Sequence, residues 1–343
     1  MDTKSLSHLI IILIAGGAIG YSGTKLAVYA DWIGDRYKVG RVFIGAFLLA
    51  IATTLPELAT TLTASWIGNA QLAINNLLGG INIQTAVLAV ADLILIRGAL
   101  TYFAPKATLV IGGIFVILQL AITILAMTLG EVFTVWNVGF WSILLFGLYL
   151  CMLYFILHQE NNQKWTSKGS APKMTMKLPT PPLRRFSNFR LMISFAIHTL
   201  IVLIAGWVIA YFADVLAQEW NWTGSWMGAT LVALTTSLPE ISTTFGAVRQ
   251  KAYALAIANI FGSNALTISL LFLADLVYRS GSIINQADHS NILLMATGIL
   301  LTATFLWGIL ERKNRTIFRM GYDSLIVLIL FCFSLISLYK LSF

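Results

Sequence analysis

Stretches of about twenty apolar residues recur along this chain of 343 residues, and no other feature limits its fold so strongly. A helix of that length crosses the roughly 30 Å of hydrocarbon in a bilayer. Hydrophobic residues make up 58% of the chain and charged residues only 10%, whereas soluble domains carry about 25% charged residues. The sequence therefore predicts an all-α integral membrane protein. The ten predicted spans are 8–29, 42–66, 70–96, 107–129, 134–157, 191–217, 225–248, 252–278, 290–310 and 320–341.

The second half of the chain repeats the first. Residues 44–92 align without gaps with residues 227–275, and 19 of those 49 positions are identical. The first spans of the two halves match as well, because HLIIILIAGGAIGY (8–21) parallels HTLIVLIAGWVIAY (198–211). Self-similarity over such lengths indicates that one structural unit is used twice.

Each half holds five predicted spans, and this odd number sends the second half into the membrane from the opposite face. The predicted fold is therefore ten transmembrane helices in two inverted five-helix repeats, residues 1–158 and 191–343, joined by a basic linker at 159–190. Inverted repeats are typical of secondary transporters, which bind their substrates near the membrane midplane where the repeats meet.

Basic residues are concentrated on one side of the predicted membrane. Eighteen of the 22 lysines and arginines lie in the loops after odd-numbered spans. Because cytoplasmic loops carry the excess of positive charge, we predict a multi-pass protein of the cell membrane with both termini outside and the 159–190 loop in the cytoplasm. The net charge of +8 thus reports topology. Composition excludes a soluble enzyme and a nucleic-acid partner, and the predicted partner is the lipid bilayer.

Two predicted spans each carry a proline, a glutamate and several hydroxyls, in the stretches TTLPE (53–57) and TTSLPE (235–240). Proline cannot donate a backbone hydrogen bond, so it frees the carbonyl group four residues earlier. Within a membrane, such broken backbone is tolerated only against protein, water or an ion. An ionisable residue inside a span indicates a functional site. Glu57 and Glu240 occupy equivalent positions in the two repeats, so the motifs predict one shared site.

The two motifs supply hard oxygen ligands for small inorganic cations. Glu57 shares a helical face with Thr53, and Glu240 shares one with Thr236. Oxygen ligands suit Ca²⁺, which takes six to eight of them. Two carboxylates in a dry interior repel each other, so they need one divalent ion, monovalent ions or protons in compensation. A site that is costly to move without a load predicts exchange of cations, with no enzyme activity and no organic cofactor.

Two further pairs of repeated residues are less specific. Asn76 and Asn259 precede glycines that allow close approach of helices, and both interhelical hydrogen bonding and cation coordination fit them. Asp92 and Asp275 lie near the ends of predicted spans, and we interpret them as interfacial or helix-packing residues.

These motifs resemble the cation/Ca²⁺ exchanger superfamily, which includes the Na⁺/Ca²⁺ exchangers. The G-T-S-L-P-E motif of that family is matched by ATTLPE (52–57) and TTSLPE (235–240); its G-S-N-x-x-[ND] motif is matched by GSNALT (262–267) and poorly by GGINIQ (79–84). The resemblance covers essentially the whole chain and implies ten helices in inverted repeats. Together with the repeated asparagines, it makes the candidate cation ligands Glu57, Glu240, Thr53, Thr54, Thr236, Ser237, Gln84, Ser263, Thr267, Asn76 and Asn259.

The resemblance also implies a function. We expect a secondary active cation antiporter that works by alternating access, with Ca²⁺ as the leading substrate and Na⁺ or H⁺ as the coupling ion. Gln84 and Thr267 stand where the family has Asn and Asp, so the acid of the eighth helix is missing. That departure leaves two alternatives: an antiporter retuned to a monovalent, transition-metal or organic cation, and a family-derived sensor or scaffold that does not transport.

Overall fold

A computed structural model of the protein describes residues 3–96, 98–136, 138–161, 187–219, 230 and 232–342. Its first half contains α1 (Thr3–Tyr37), α2 (Arg41–Ile44), a π-helical turn (Gly45–Leu49), α3 (Ala50–Trp66), α4 (Ala70–Leu95), a 3₁₀ turn (Leu100–Phe103), α5 (Ala107–Leu129), β1 (Thr134–Val135), β2 (Val138–Gly139) and α6 (Phe140–Asn161). The two short strands form an antiparallel hairpin.

The second half follows the same order. It contains α7 (Asn188–Glu219), α8 (Ala233–Thr236), α9 (Leu238–Arg249), α10 (Tyr253–Val277), a 3₁₀ turn (Ile283–Gln286), α11 (His289–Glu311), β3 (Thr316–Ile317), β4 (Met320–Gly321) and α12 (Tyr322–Ser342). A second antiparallel hairpin, β3 with β4, occupies the place that β1 and β2 hold in the first half.

Nine helical stretches in the described part of the chain are long and apolar enough to cross a membrane, and each corresponds to a predicted span. The remaining prediction, 225–248, is only partly described, by α8 and α9. Helix α1 continues past the predicted end of the first span, near residue 29, and ends at Tyr37. This extension keeps Asp31 buried, where its carboxylate forms an ion pair with Arg41.

Helices α4 and α10 form the centre of the bundle. In their most apolar windows 83% and 72% of the residues are buried, against 22% in α1 and 28% in α7. Helices α1 and α7 pack along each other beside this centre. Because the central helices are surrounded by protein rather than lipid, they tolerate polar side chains that a lipid-facing helix does not.

Asp92 and Asp275 anchor the ends of α4 and α10 in matching ways. Each buried carboxylate accepts hydrogen bonds from the first residue of a 3₁₀ turn, from the last residue of a hairpin and from a serine in the following helix. The donors are Leu100 N (3.0 Å), Gly321 N (2.9 Å) and Ser324 Oγ (2.6 Å) for Asp92, and Ile283 N (2.6 Å), Gly139 N (2.9 Å) and Ser142 Oγ (2.6 Å) for Asp275. These contacts agree with a packing role for both residues.

The end of α6 holds the start of the second span. Glu160 accepts hydrogen bonds from the backbone N–H groups of Val42 and Phe43, both at 3.1 Å. A carboxylate at a helix N-terminus satisfies backbone donors that have no partner within the helix. Because α6 extends to Asn161, residues 159–161 of the predicted linker are helical, and α7 begins at Asn188. The rest of the linker, 162–186, lies outside the described residues.

Candidate cation site

In the span that carries the first motif, an irregular helical turn comes before the proline. The π-helical turn Gly45–Leu49 leads into α3, and Pro56 is contained within α3. Turns of this kind interrupt the regular backbone hydrogen bonds and are frequent at functional sites. The Thr53 hydroxyl donates to the carbonyl oxygens of Leu49 (3.1 Å) and Ala50 (3.2 Å), which ties this side chain to the irregular turn.

In the second motif the helix is interrupted next to the proline instead. Helix α8 ends at Thr236, Ser237 has φ −84° and ψ 2°, and α9 begins at Leu238. Pro239 fits this position because the first residues of a helix need no backbone donor. Glu240 therefore lies in the first turn of a new helix, where the helix dipole favours a negative charge. Glu57, in contrast, lies inside a continuous helix.

Each motif reaches across to the glutamate of the other repeat. Ser237 Oγ donates to Glu57 Oε1 at 2.9 Å, and Thr54 Oγ1 donates to Glu240 Oε1 at 3.3 Å. Ser237 and Thr54 are equivalent positions in the repeat. Both glutamates are fully buried. The structure thus brings the two predicted acids together where the repeats meet.

Glu57 is surrounded by neutral donors. Besides Ser237, it receives the amide Nε2 of Gln84 on Oε1 at 2.7 Å and the hydroxyl of Thr267 on Oε2 at 3.0 Å. Gly80 lies against the same carboxylate, because a Cβ at this position would be 2.8 Å from Glu57 Oε1. Gln84 and Thr267 therefore both direct their donor groups to Glu57.

Glu240 has fewer hydrogen-bond donors around it. Its Oε2 atom is buried and accepts no hydrogen bond from the described residues. Thr53 lies beside this carboxyl group but donates to its own helix, and its hydroxyl is 3.4 Å from Ser263 Oγ. A buried carboxylate oxygen without a donor is destabilising unless a cation or a proton compensates it. This oxygen is one of the atoms that a cation could compensate.

Asn76 and Asn259 make different contacts although they are equivalent in sequence. Asn76 Oδ1 accepts a hydrogen bond from Thr236 Oγ1 at 3.1 Å, which joins α4 to α8. Asn259 Oδ1 is buried without a donor among the described residues, while Asn259 Nδ2 donates to Thr243 at 3.1 Å. The amide oxygen of Asn76 is thus used in an interhelical hydrogen bond, whereas the amide oxygen of Asn259 has no such bond and could bind a cation.

Comparison with known proteins identifies the family. The profile described as "Sodium/calcium exchanger protein" matches residues 7–158 and 190–340, which is most of the chain. The chain belongs to the sodium/calcium exchanger family. Two relatives span nearly the same length. "Putative antiporter CaxA" of Alkalimonas amylolytica is 23% identical over 314 residues, covering 89% of this chain and 92% of that protein. Inner membrane protein YrbG of Escherichia coli K12 is 25% identical over 282 residues, covering 80% and 82%.

A solved structure confirms the architecture of this exchanger-family protein. The sodium-calcium exchanger NCX_Mj matches with a TM-score of 0.69 at 19% identity, over 97% of this chain and 99% of that chain. Its fold is a ten-helix inverted repeat, so the predicted fold class is confirmed. Family and structural neighbours are exchangers and not enzymes, as predicted. The protein is a multi-pass membrane protein and a cation antiporter.

One contact of this exchanger's site was not predicted from the repeat. Asn264 Nδ2 donates to Thr85 Oγ1 at 2.8 Å and so joins α10 to α4 beside the candidate ligands. The equivalent positions are Ile81 and Ile268, so a search for residues shared by the two halves does not find this pair. The available signal was GSNALT (262–267), the stretch that matches the family motif and contains Asn264.

Proposed function

We propose that this antiporter exchanges Ca²⁺ for Na⁺ or H⁺ by alternating access, at a site between Glu57 and Glu240. The observation that carries the proposal is the reciprocal pair of hydrogen bonds that holds the two buried carboxylates together, with Glu240 Oε2 left without a donor. Two carboxylates together carry a charge of about −2. One divalent ion, two monovalent cations or two protons each neutralise this charge, so one load can be exchanged for another.

The surrounding side chains supply enough oxygen for Ca²⁺. The carboxylates of Glu57 and Glu240 offer four oxygen atoms, and the amide oxygens of Gln84 and Asn259 accept no hydrogen bond from the described residues. Hydroxyl oxygens keep lone pairs after they donate; the proposed hydroxyl ligands are Thr53, Thr54, Thr236, Ser237, Ser263 and Thr267. Ca²⁺ takes six to eight oxygens, and this set contains at least that number.

A monovalent cation is the second candidate, and the contacts of Glu57 favour it. Gln84 and Thr267 both donate to this carboxylate, so part of its charge is stabilised by the protein itself. A transition metal fits less well. In the part of the chain that the structure describes, no group of three His, Cys, Asp or Glu side chains is placed to hold one, and such metals prefer nitrogen and sulfur ligands.

Cation flux into proteoliposomes tests the proposal. We expect Glu57→Gln and Glu240→Gln each to reduce Ca²⁺ exchange by roughly a hundredfold, because each removes one charge of a buried pair. Glu131→Gln is the matched control. Glu131 lies next to the β1–β2 hairpin, where it bonds to Ser282 and Trp141, and its substitution should leave flux unchanged.

The same assay distinguishes the candidate ions. An outward Na⁺ gradient and an outward H⁺ gradient, imposed separately, should show which one drives Ca²⁺ uptake. Competition by monovalent and divalent cations then ranks the substrates. Exchange of any tested cation that survives both glutamate substitutions would contradict the site. Exchange of monovalent cations alone, abolished by the same substitutions, would establish the second candidate.

A further inference from the structure

A second feature of the molecule lies one turn away from the glutamate pair. A cavity of about 210 Å³ opens between α3, α7 and the residue before α8. We call it the α3–α7 vestibule; Thr60 and Thr63 line it from α3, Ile67 lines it from the position just after α3, and Trp207 and Tyr211 line it from α7. The topology prediction places this end of α3 on the outer side of the membrane.

The α7 wall of the vestibule is an exposed aromatic surface. The side chains of Trp207 and Tyr211 are 57% and 56% exposed, and their rings stack with centroids 5.9 Å apart and planes inclined by 24°. The equivalent residues in α1 are Gly17 and Tyr21. The first repeat folds with a glycine at the position of Trp207, so the fold itself does not require an indole there.

The described lining of the vestibule is uncharged, offers hydroxyl oxygens and lies one turn from a buried carboxylate. None of the described residues that line it is charged, and Glu57 lies about 4.5 Å deeper along α3 than Thr60, at 1.5 Å per residue. The hydroxyls of Thr60 and Thr63 donate to the carbonyl oxygens of Pro56 and Ala59, at 3.0 and 2.8 Å. Their oxygens are therefore presented as acceptors, which stabilise cations and not anions.

We propose that the α3–α7 vestibule binds an organic monocation of the quaternary ammonium class. Such a cation would lie against the faces of Trp207 and Tyr211, since aromatic rings attract cations and indole does so best. The cavity is large for a single metal ion, and an alkylated ammonium also buries apolar surface against Ile67. A bound organic cation would lie one helical turn from Glu57 and repel a second cation there, so it would inhibit exchange; this last part rests on the proposed function.

Binding is tested on the full-length protein in detergent, with choline as the probe and 3,3-dimethyl-1-butanol as its uncharged counterpart of the same shape. Calorimetric titration should show saturable choline binding and none of the alcohol. We expect Trp207→Leu to weaken choline binding about tenfold and Trp207→Phe to weaken it less. Trp66→Leu and Tyr21→Leu are matched controls, because both residues are exposed aromatics outside the vestibule, and neither should change the affinity.

The inhibition is measured separately, as the effect of choline on cation flux in proteoliposomes. Choline should inhibit the unmodified protein and lose potency by the same factor in Trp207→Leu. Equal affinity for choline and the alcohol, or unchanged choline affinity in Trp207→Leu, would overturn the proposed site. Binding that follows this pattern in a protein without measurable flux would leave the vestibule site standing and refute only the proposed function.

Discussion

At the scale of single residues, the two central glutamates differ although their sequence contexts are alike. Among the described residues, Glu57 accepts side-chain hydrogen bonds from Ser237, Gln84 and Thr267, whereas Glu240 accepts one at normal distance, from Thr54. The difference arises from residues outside the motif, chiefly Gln84 and Thr267, which both donate to Glu57. Side-chain donors therefore stabilise the charge of Glu57, while Glu240 has the first turn of α9 and keeps Oε2 free for a cation or a proton.

The close contact of Gly80 with Glu57 gives a prediction at this scale. We expect Gly80→Ala to raise the KM for cation exchange about tenfold, because overpacking a buried contact costs about 1–3 kcal/mol. The added methyl group would lie 2.8 Å from Glu57 Oε1 and displace the carboxylate. KM is measured as the cation concentration that gives half-maximal flux in proteoliposomes. In the control, Gly147→Ala, the added methyl group meets no atom within 4 Å. The same KM in both variants would show that this contact is unimportant.

At the scale of elements, the two repeats place equivalent anchors at the ends of their central helices. Asp92 holds the end of α4 and Asp275 holds the end of α10, each through two backbone N–H groups and one serine hydroxyl. Each aspartate thus joins a helix end to a 3₁₀ turn and to a hairpin. This arrangement explains why both acids recur in the repeat without being part of the candidate site.

We therefore expect Asp92→Asn and Asp275→Asn to lower stability while leaving cation affinity unchanged. Each substitution replaces an accepting oxygen by an amide group that faces a donor, which costs about 1–3 kcal/mol. The unfolding temperature in detergent measures stability, and titration of the folded protein measures affinity. Ser324→Ala removes one donor to Asp92 and should cause a smaller loss. Lost affinity with unchanged stability would instead make these acids cation ligands.

At the scale of the whole molecule, the inverted repeats are not in the same conformation. Gly206 of α7 packs against Pro56, whereas a Cβ on its equivalent, Gly16 of α1, would meet no atom within 4 Å. Asn76 is bonded to Thr236, but within the described part of the chain Asn259 Oδ1 accepts no equivalent bond. In transporters built from inverted repeats, one half rocks or gates against the other around a fixed site. We expect the opposite state to contain the bond from Thr53 to Asn259.

Labelling of a single cysteine tests this expectation. Thr63→Cys, in a protein whose Cys151 and Cys332 are replaced by serine, places a thiol in the α3–α7 vestibule. Thr236→Val removes the bond to Asn76, worth about 1 kcal/mol, and should lower the labelling rate by a membrane-impermeant reagent several-fold. Thr53→Val should not lower it, because its proposed partner bond belongs to the opposite state. Equal labelling in the two variants would argue against an exchange of these bonds.

Much of the fold was predictable because its determinants are local or repeated. Apolar length predicts a span, and the constant spacing between the two halves predicts inverted repeats. The site was predictable in part. Glu57 and Glu240 are unusual in any membrane helix, but no local pattern predicts that Ser237 and Thr54 donate to the glutamate of the opposite repeat. Contacts between residues that are not repeated, such as that of Asn264 with Thr85, leave no trace in the repeat pattern.

The sequence by itself determined the membrane class, the doubled architecture and the identity of the two acids, because hydrophobic length and buried charge have large energetic consequences wherever they occur. Tertiary structure alone decided how those acids differ. Hydrogen bonds act over about 3 Å, so whether Gln84, Thr267 or Asn259 donates to a carboxylate, or keeps an oxygen free for a cation, depends on how helices distant in sequence pack against one another.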